Sequence, residues 1–228
     1  MIANKKLFGT GLVLMITFGI VFVGIFMPLF NGHNGLQYMD SLYNSISKGS
    51  ANYISKAVKA AEKFNGQSID VTLAFESAEQ ADQMAKQLNA GGAMINVSGG
   101  TLKVSGDLGR MLANCLADAK LMYENNGDAI QSKYGIEPRR ATYNWWHALT
   151  LLEEELNKQE QFKAANAVHT ALTKAVEPAY NYFGIEAQNI KDRLWVVIFS
   201  LVFYVIYTLW YGFGIMYLFE GWGLQLEH

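Results

Sequence analysis

A single cysteine, Cys115, is all the thiol chemistry this chain carries. One cysteine excludes an intrachain disulfide, a four-cysteine zinc site and a C-x-x-C-H haem attachment. Prolines number three and no low-complexity run occurs, which excludes a Pro-rich linker protein. Charge is sparse as well: Asp, Glu, Lys and Arg make up 17% of 228 residues, and 18 basic against 20 acidic side chains leave a net charge of −2. Neither a basic nucleic-acid footprint nor an acidic disordered tail fits that balance. Nucleic acid is therefore not an expected partner.

Apolar residues make up 51% of the chain and are concentrated at its two ends. Residues 7–30 (LFGTGLVLMITFGIVFVGIFMPLF) contain no charge. As a helix they extend about 36 Å, against a hydrocarbon core of roughly 30 Å. A cleaved signal peptide would have an apolar region of about 7–15 residues and a small-residue cleavage site. Phe26-Met27-Pro28-Leu29-Phe30 offers no such site, so the reading is an uncleaved anchor. Residues 194–219 (LWVVIFSLVFYVIYTLWYGFGIMYLF) form a second uncharged run, entered from Lys191, Asp192 and Arg193 and left at Glu220 and Trp222.

Two transmembrane helices are thus expected, with residues 1–6 and 220–228 as tails and residues 31–193 as an extracytoplasmic domain. Lys5 and Lys6 place the N-terminus in the cytoplasm by the positive-inside rule. Lys191 and Arg193 argue the other way, but long loops cross regardless of charge and the first helix usually dominates. The expected location is the inner (plasma) membrane, with both termini cytoplasmic and the domain periplasmic or extracellular.

Periodicity divides that domain into a helical part (31–66), a β-α-β-β-α part (67–128) and a second helical part (137–190). Leu36, Met39, Leu42, Tyr43 and Ile46, then Ile54, Ala57, Val58 and Ala61, have helical spacing, divided at Gly49-Ser50. Ile69, Val71, Leu73 and Phe75 alternate with Asp70, Thr72 and Ala74 as a half-buried strand does. Ser77 and Gln80 form a capping box before the next helix.

If Gly99-Gly100 is a two-residue turn, Ser98 faces Thr101, Val97 faces Leu102 and Ile95 faces Val104. Ile95, Val97, Leu102 and Val104 then form one buried face. Asp107 caps a helix with the stripe Leu108, Met111, Leu112, Cys115, Leu116, Ala119 and Met122. This hairpin-plus-helix segment resembles that of envelope lipid-associated BON domains over about a fifth of the chain. No diagnostic motif accompanies the likeness, and no function is carried over.

Pro138 opens a helix striped by Trp145, Leu149, Leu152 and Leu156, and Phe162, Ala165, Val168, Leu172 and Val176 continue it after a phase break at 157–161. Pro178 and Gly184 interrupt the pattern. The expected fold class is an α+β membrane protein: two transmembrane helices flanking an extramembrane domain with a small three-stranded sheet and a helical hairpin.

The chemistry-bearing residues are few. Asn144-Trp145-Trp146-His147 and Asn166-Ala167-Val168-His169 repeat N-x-x-H, but a di-iron bundle needs Glu-x-x-His. No metal ligand is assigned. Neither apolar run contains His, so the chain alone cannot ligate a haem b through two histidines. His33 follows the first run and reads as a polar residue at the membrane interface. Glu153-Glu154-Glu155 fan over about 200° of a helix and cannot face one substrate.

Gly91, Gly92, Gly99, Gly100, Gly106 and Gly109 match no phosphate-loop motif and read as turns. Cys115 lies on an apolar stripe, where a thiol is inert. Asn96-Val97-Ser98 fits a glycosylation sequon but falls in a predicted strand. No catalytic residue and no cofactor is assigned. The most suggestive cluster is Arg139-Arg140 with Trp145-Trp146, suited to a lipid phosphate, a carboxylate or a partner loop. The competing reading is an aromatic core beside a charged helix start. Arginine at a helix N-terminus opposes the dipole, so partners are expected for both.

Small residues mark the apolar runs. Thr10, Thr17 and Gly24 are spaced by seven, and Ser200, Tyr204, Thr208 and Gly212 follow an i+4 ridge. Such residues let helices approach closely in lipid. Tyr204 and Tyr207 at mid-depth demand a partner for their hydroxyls, from protein, pigment or cofactor. The short tails hold no output module. The expected function is a non-catalytic accessory subunit of a larger membrane complex, respiratory or transport-related, with other integral membrane subunits and the bilayer as partners. The alternative is a membrane-anchored ligand- or lipid-binding regulatory module built on the Arg139–Trp146 cluster. Third comes an enzyme with an unrecognised site.

Overall fold

The computed structural model describes residues 2–50 and 52–224, so the last four residues of the expected 220–228 tail lie outside the described residues. In chain order the elements are α1 (Lys5–Phe26), α2 (Gly35–Ser50), α3 (Ile54–Glu62), β1 (Ser68–Ala74), α4 (Ala78–Ala90), β2 (Met94–Ser98), β3 (Thr101–Asp107), α5 (Leu108–Tyr123), α6 (Gly127–Tyr134), α7 (Pro138–Lys158), α8 (Phe162–Ala171), a π turn (Leu172–Val176), α9 (Glu177–Asn181) and α10 (Ile190–Trp222). The chain is mostly helical and divides into two compact units, residues 1–46 with 188–228, and residues 47–187.

In the first unit, Asn4 caps α1 by accepting hydrogen bonds from the Lys6 and Leu7 amides. The helix stops at Phe26, short of the apolar run's end at Phe30. Met27 precedes Pro28 and is held in extended backbone (φ −72°, ψ 144°), because the proline ring excludes the α region for its predecessor. Asn189 caps α10, which is longer than the uncharged run: its 33 residues take in Lys191, Asp192, Arg193 and Glu220 and extend about 50 Å. Gly223, in the left-handed conformation, ends it. Both helices are long and apolar enough to cross a membrane, and apart from glycines none of their residues is fully buried.

The two helices pack antiparallel along a seam of three- and four-residue steps. Phe8, Gly11, Met15 and Phe18 of α1 meet Gly221, Leu218, Gly214 and Tyr207 of α10. A Cβ on Gly11 would sit 2.7 Å from the Leu218 amide nitrogen and 3.0 Å from the Gly214 carbonyl, so backbone touches backbone. At Gly221 a Cβ would collide with the backbone of Phe8. Trp210 Nε1–H donates to the Leu14 carbonyl at 3.0 Å, and Phe18 stacks on Tyr207 with ring centroids 4.3 Å apart.

This intrachain seam does not run through the small residues singled out in the sequence. Around Gly24 and Gly212 there is open space. Thr10, Thr17 and Thr208 donate to carbonyls of their own helices, those of Lys6, Val13 and Tyr204. Ser200 bonds Val197 O and the Tyr43 hydroxyl. A Thr that satisfies itself on the preceding turn gains nothing from a neighbouring helix, whereas a glycine yields close approach only on the face that is covered.

In the second unit, three antiparallel strands stand in the order β1-β3-β2. The hairpin pairs Ser98 with Thr101, Val97 with Leu102 and Ile95 with Val104, as a two-residue Gly99-Gly100 turn dictates. Ile69, Val71, Leu73, Leu102 and Val104 turn into the core. Val97 does not: it is 41% exposed, and Ile95 only half-buried. They lie on the edge strand β2, which has no further strand on its outer side, whereas Leu102, paired with Val97 on the middle strand, is fully buried. Helix α5 passes through the centre, burying Leu108, Met111, Leu112, Cys115, Leu116, Ala119 and Met122, and packs chiefly against α3 and α9, with α7 beside them.

Two features depart from the pattern read in the sequence. Gly127–Tyr134 is an additional short helix, α6. Pro178 does not interrupt the last helical stretch: the π turn carries the Glu177 amide back to Leu172 O, and Pro178 then falls in the first turn of α9. There its missing N–H is not needed.

Candidate functional site

Helix α7 opens on Pro138, with Glu137 as its cap. The Glu137 carboxylate accepts from the Arg139 and Arg140 amides at 3.0 and 2.7 Å. That anion offsets two cations placed at the positive end of a helix dipole. Each guanidinium also finds its own partners. Arg139 Nη2 donates to Phe183 O at 3.2 Å and lies 5.7 Å from the Tyr180 ring centroid. Arg140 Nε donates to Gln83 Oε1 at 3.3 Å and lies 5.5 Å from that of Tyr143.

The structure separates the tryptophans expected to join these arginines. Trp145 is 2% exposed, and its indole N–H donates to Asp118 Oδ2 at 2.8 Å. One residue further is 100° of rotation on a helix. Trp146 is accordingly only half-buried, stacks on Tyr143 at 5.8 Å, and donates to Glu177 Oε1 at 3.1 Å. Trp145 therefore belongs to the core and not to a ligand cluster.

Tyr143, Trp146, Glu177, Tyr180 and Asn181 line a cleft of about 320 Å³ between α7 and α9. Four of these, Tyr143, Glu177, Tyr180 and Asn181, are not among the residues singled out in the sequence. The signal was present as two i, i+3 pairs, Tyr143/Trp146 and Glu177/Tyr180, but the second was hidden by reading Pro178 as a break.

Asp118 anchors a buried polar network that the sequence did not announce. Besides Trp145, it accepts from Lys133 Nζ at 2.8 Å and the Tyr134 hydroxyl at 2.7 Å. Burial, reinforced by the hydrogen bond to Asp118, pushes the Tyr134 hydroxyl far above its usual range. Burial likewise raises the Cys115 thiol well above its ordinary value, with the Asp118 charge adding to it. That thiol is inert.

Lys48 is a buried cation in an oxygen cage. Its ammonium donates to Asn125 Oδ1 (2.8 Å), Tyr182 O (3.0 Å) and Ile185 O (2.6 Å), and lies 5.3 Å from the Tyr123 ring centroid. Tyr123 returns a hydrogen bond to Lys48 O. Desolvation lowers the Lys48 pKa, and the Glu186 charge opposes that shift.

The remaining candidates are scattered. His147 Nδ1 meets Gln80 Nε2 at 3.1 Å and its ring stands edge-on to Phe75. His169 Nδ1 lies 3.2 Å from Glu153 Oε2 on the surface. His33 is exposed in the turn after α1, where its backbone pairs with Phe30. Glu155 binds Lys158, and Glu154 faces outward. Among the described residues no group of three or more His, Cys, Asp or Glu could hold a metal ion. Compared with known proteins, the chain matches no family model, no curated protein and no solved structure.

Proposed function

We propose that this chain is a membrane-anchored, non-catalytic accessory subunit of a larger membrane complex, with respiratory and transport assemblies the first candidates. The α1–α10 pair is its anchor. A water-exposed surface as apolar as that of these helices would aggregate, whereas lipid and neighbouring helices cover it without cost. Lys5 and Lys6 support an orientation with both ends of the pair toward the cytoplasm and residues 31–193 outside.

The observation that carries a partner, rather than lipid alone, is the open Tyr204 side chain near the middle of α10. Tyr204 is 69% exposed. The Tyr207 hydroxyl is enclosed and has no hydrogen-bond partner among the described residues. A hydroxyl without a partner in an apolar medium costs several kcal/mol on cyclohexane scales, about 1–3 by protein measurements. The enclosed Tyr207 hydroxyl is out of an outside helix's reach, but a helix offering an acceptor to the open Tyr204 hydroxyl would remove that cost there.

Purification in mild detergent, followed by identification of co-purifying chains, tests the reading. A stoichiometric integral-membrane partner is expected. A wild-type protein that runs as a monomer with no partner, under conditions preserving known complexes from the same membrane, would overturn it. Thiol labelling of Asn34→Cys and Leu224→Cys tests orientation: Asn34→Cys is expected to react in intact cells, and Leu224→Cys only after permeabilisation.

A further inference from the structure

The cleft between α7 and α9 has the composition of a cation receptor. Three of its five lining residues are aromatic and one is a carboxylate. Glu177 is fixed through one oxygen by the Trp146 indole N–H, and its other oxygen accepts no hydrogen bond from any described residue. The carboxylate is half-buried, so its charge is less screened than a fully solvated one. At about 320 Å³ the cleft matches the small end of ligand pockets.

Aromatic faces attract a cation through their quadrupole, most effectively one that brings no N–H groups needing acceptors. The walls supply few acceptors: one Glu177 oxygen is already taken by the Trp146 indole N–H, leaving Asn181, the tyrosine hydroxyls and the other carboxylate oxygen. That favours a quaternary over a primary ammonium. The rim selects further. Arg139 and Arg140 lie over the rings of Tyr180 and Tyr143, the tyrosines of the cleft's two walls. A bare cation is repelled by these two guanidiniums, whereas a ligand with an anion tethered to its ammonium is attracted at both ends.

We propose that the cleft binds a zwitterion, a quaternary ammonium seated against Glu177 and the rings of Tyr143, Trp146 and Tyr180, with its tethered phosphate at Arg139 and Arg140. Phosphocholine, free or as a phospholipid headgroup, carries this chemistry. The inference stands on the second unit alone and does not depend on the anchoring reading.

Isothermal titration of the full chain in maltoside detergent, which carries no choline, tests it. Phosphocholine is expected to bind saturably with a Kd below about 5 mM. Choline should bind at least about threefold more weakly, phosphoethanolamine more weakly still, and inorganic phosphate not measurably. Glu177→Gln should weaken phosphocholine about tenfold while the far-ultraviolet circular dichroism stays unchanged. Should that variant misfold, Tyr180→Ala at the exposed edge of the cleft serves, with a similar loss expected.

Repeating the titration in nanodiscs distinguishes the sources. Phosphatidylcholine discs, unlike phosphatidylglycerol discs, abolish the signal if the headgroup occupies the site, and leave it intact if the ligand is a free solute. Absence of saturable phosphocholine binding to the folded protein, equal affinity for phosphoethanolamine, or binding indifferent to both Glu177→Gln and Tyr180→Ala would overturn the proposal.

Discussion

Tyr134 and Lys48 are two buried polar side chains whose protonation is coupled to folding, with opposite signs. The Tyr134 hydroxyl is neutral and donates to Asp118 in the folded state, so its pKa is raised above the unfolded value near 10. Its contribution is fully present below pH 10 and is lost as pH climbs from there toward the raised folded value. Tyr134→Phe is expected to lower stability at pH 7 by about 1–3 kcal/mol, since Asp118 and Asn114 each lose a partner. It should also flatten the fall in thermal stability above pH 10, which melts from pH 8 to 11 would show. Lys48 has a lowered pKa, so its charged form is disfavoured by folding and its contribution rises as pH approaches the unfolded value of 10.5. Removing the ammonium leaves Asn125 Oδ1 and the Tyr182 and Ile185 carbonyls without this donor. Lys48→Met should therefore destabilise by about 2 kcal/mol and speed amide exchange in residues 182–186, the segment its ammonium ties down. Unchanged exchange there would mean that the cage is incidental.

At the scale of elements, legibility in the sequence followed how local the determinant was. Strand β1 could be read because Ile69, Val71 and Leu73 alternate with polar neighbours, and the hairpin because a two-glycine turn sets its register. Asn4, Ser77 and Asp107 all cap helices, and two of these caps were predicted from spacing alone. Val97 was misjudged because alternation reports which side a residue faces, not whether a helix reaches it there. Accordingly Val104→Asp, in the middle strand, should unfold the second unit, placing an unpaired charge in the core at a cost of several kcal/mol. Val97→Asp should cost less than about 1 kcal/mol. Chemical denaturation of both variants checks this, and equal losses would contradict the edge-strand placement. The cleft was half legible for a related reason. Arg139, Arg140 and Trp146 are close in sequence and announce themselves, but Glu177 and Tyr180 come from a helix that exists only because a π turn accommodates Pro178. A single π turn rotates the apolar stripe once, which in hydrophobic periodicity reads the same as a helix end.

At the scale of the whole molecule, the apolar helices raise the question of which contacts belong to the chain and which to a partner. Gly11 and Gly212 separate the two experimentally. A side chain on Gly11 meets the α10 backbone at 2.7 Å, so Gly11→Leu must push the helices apart, whereas Gly212 opens onto empty space in the isolated chain. Oxidative cross-linking between Phe18→Cys and Tyr207→Cys, whose native rings stack, reports on the α1–α10 pair. Gly11→Leu is expected to abolish that cross-link. Gly212→Leu should leave it intact and instead deplete the co-purifying chain, because only an added helix could bring backbone against that face. Retention of the cross-link in Gly11→Leu would refute the intrachain seam. A Gly212→Leu protein that keeps its partner would mean that the partner docks elsewhere on α10, with the exposed faces of Trp195, Phe199 and Tyr204 the next surface to mutate.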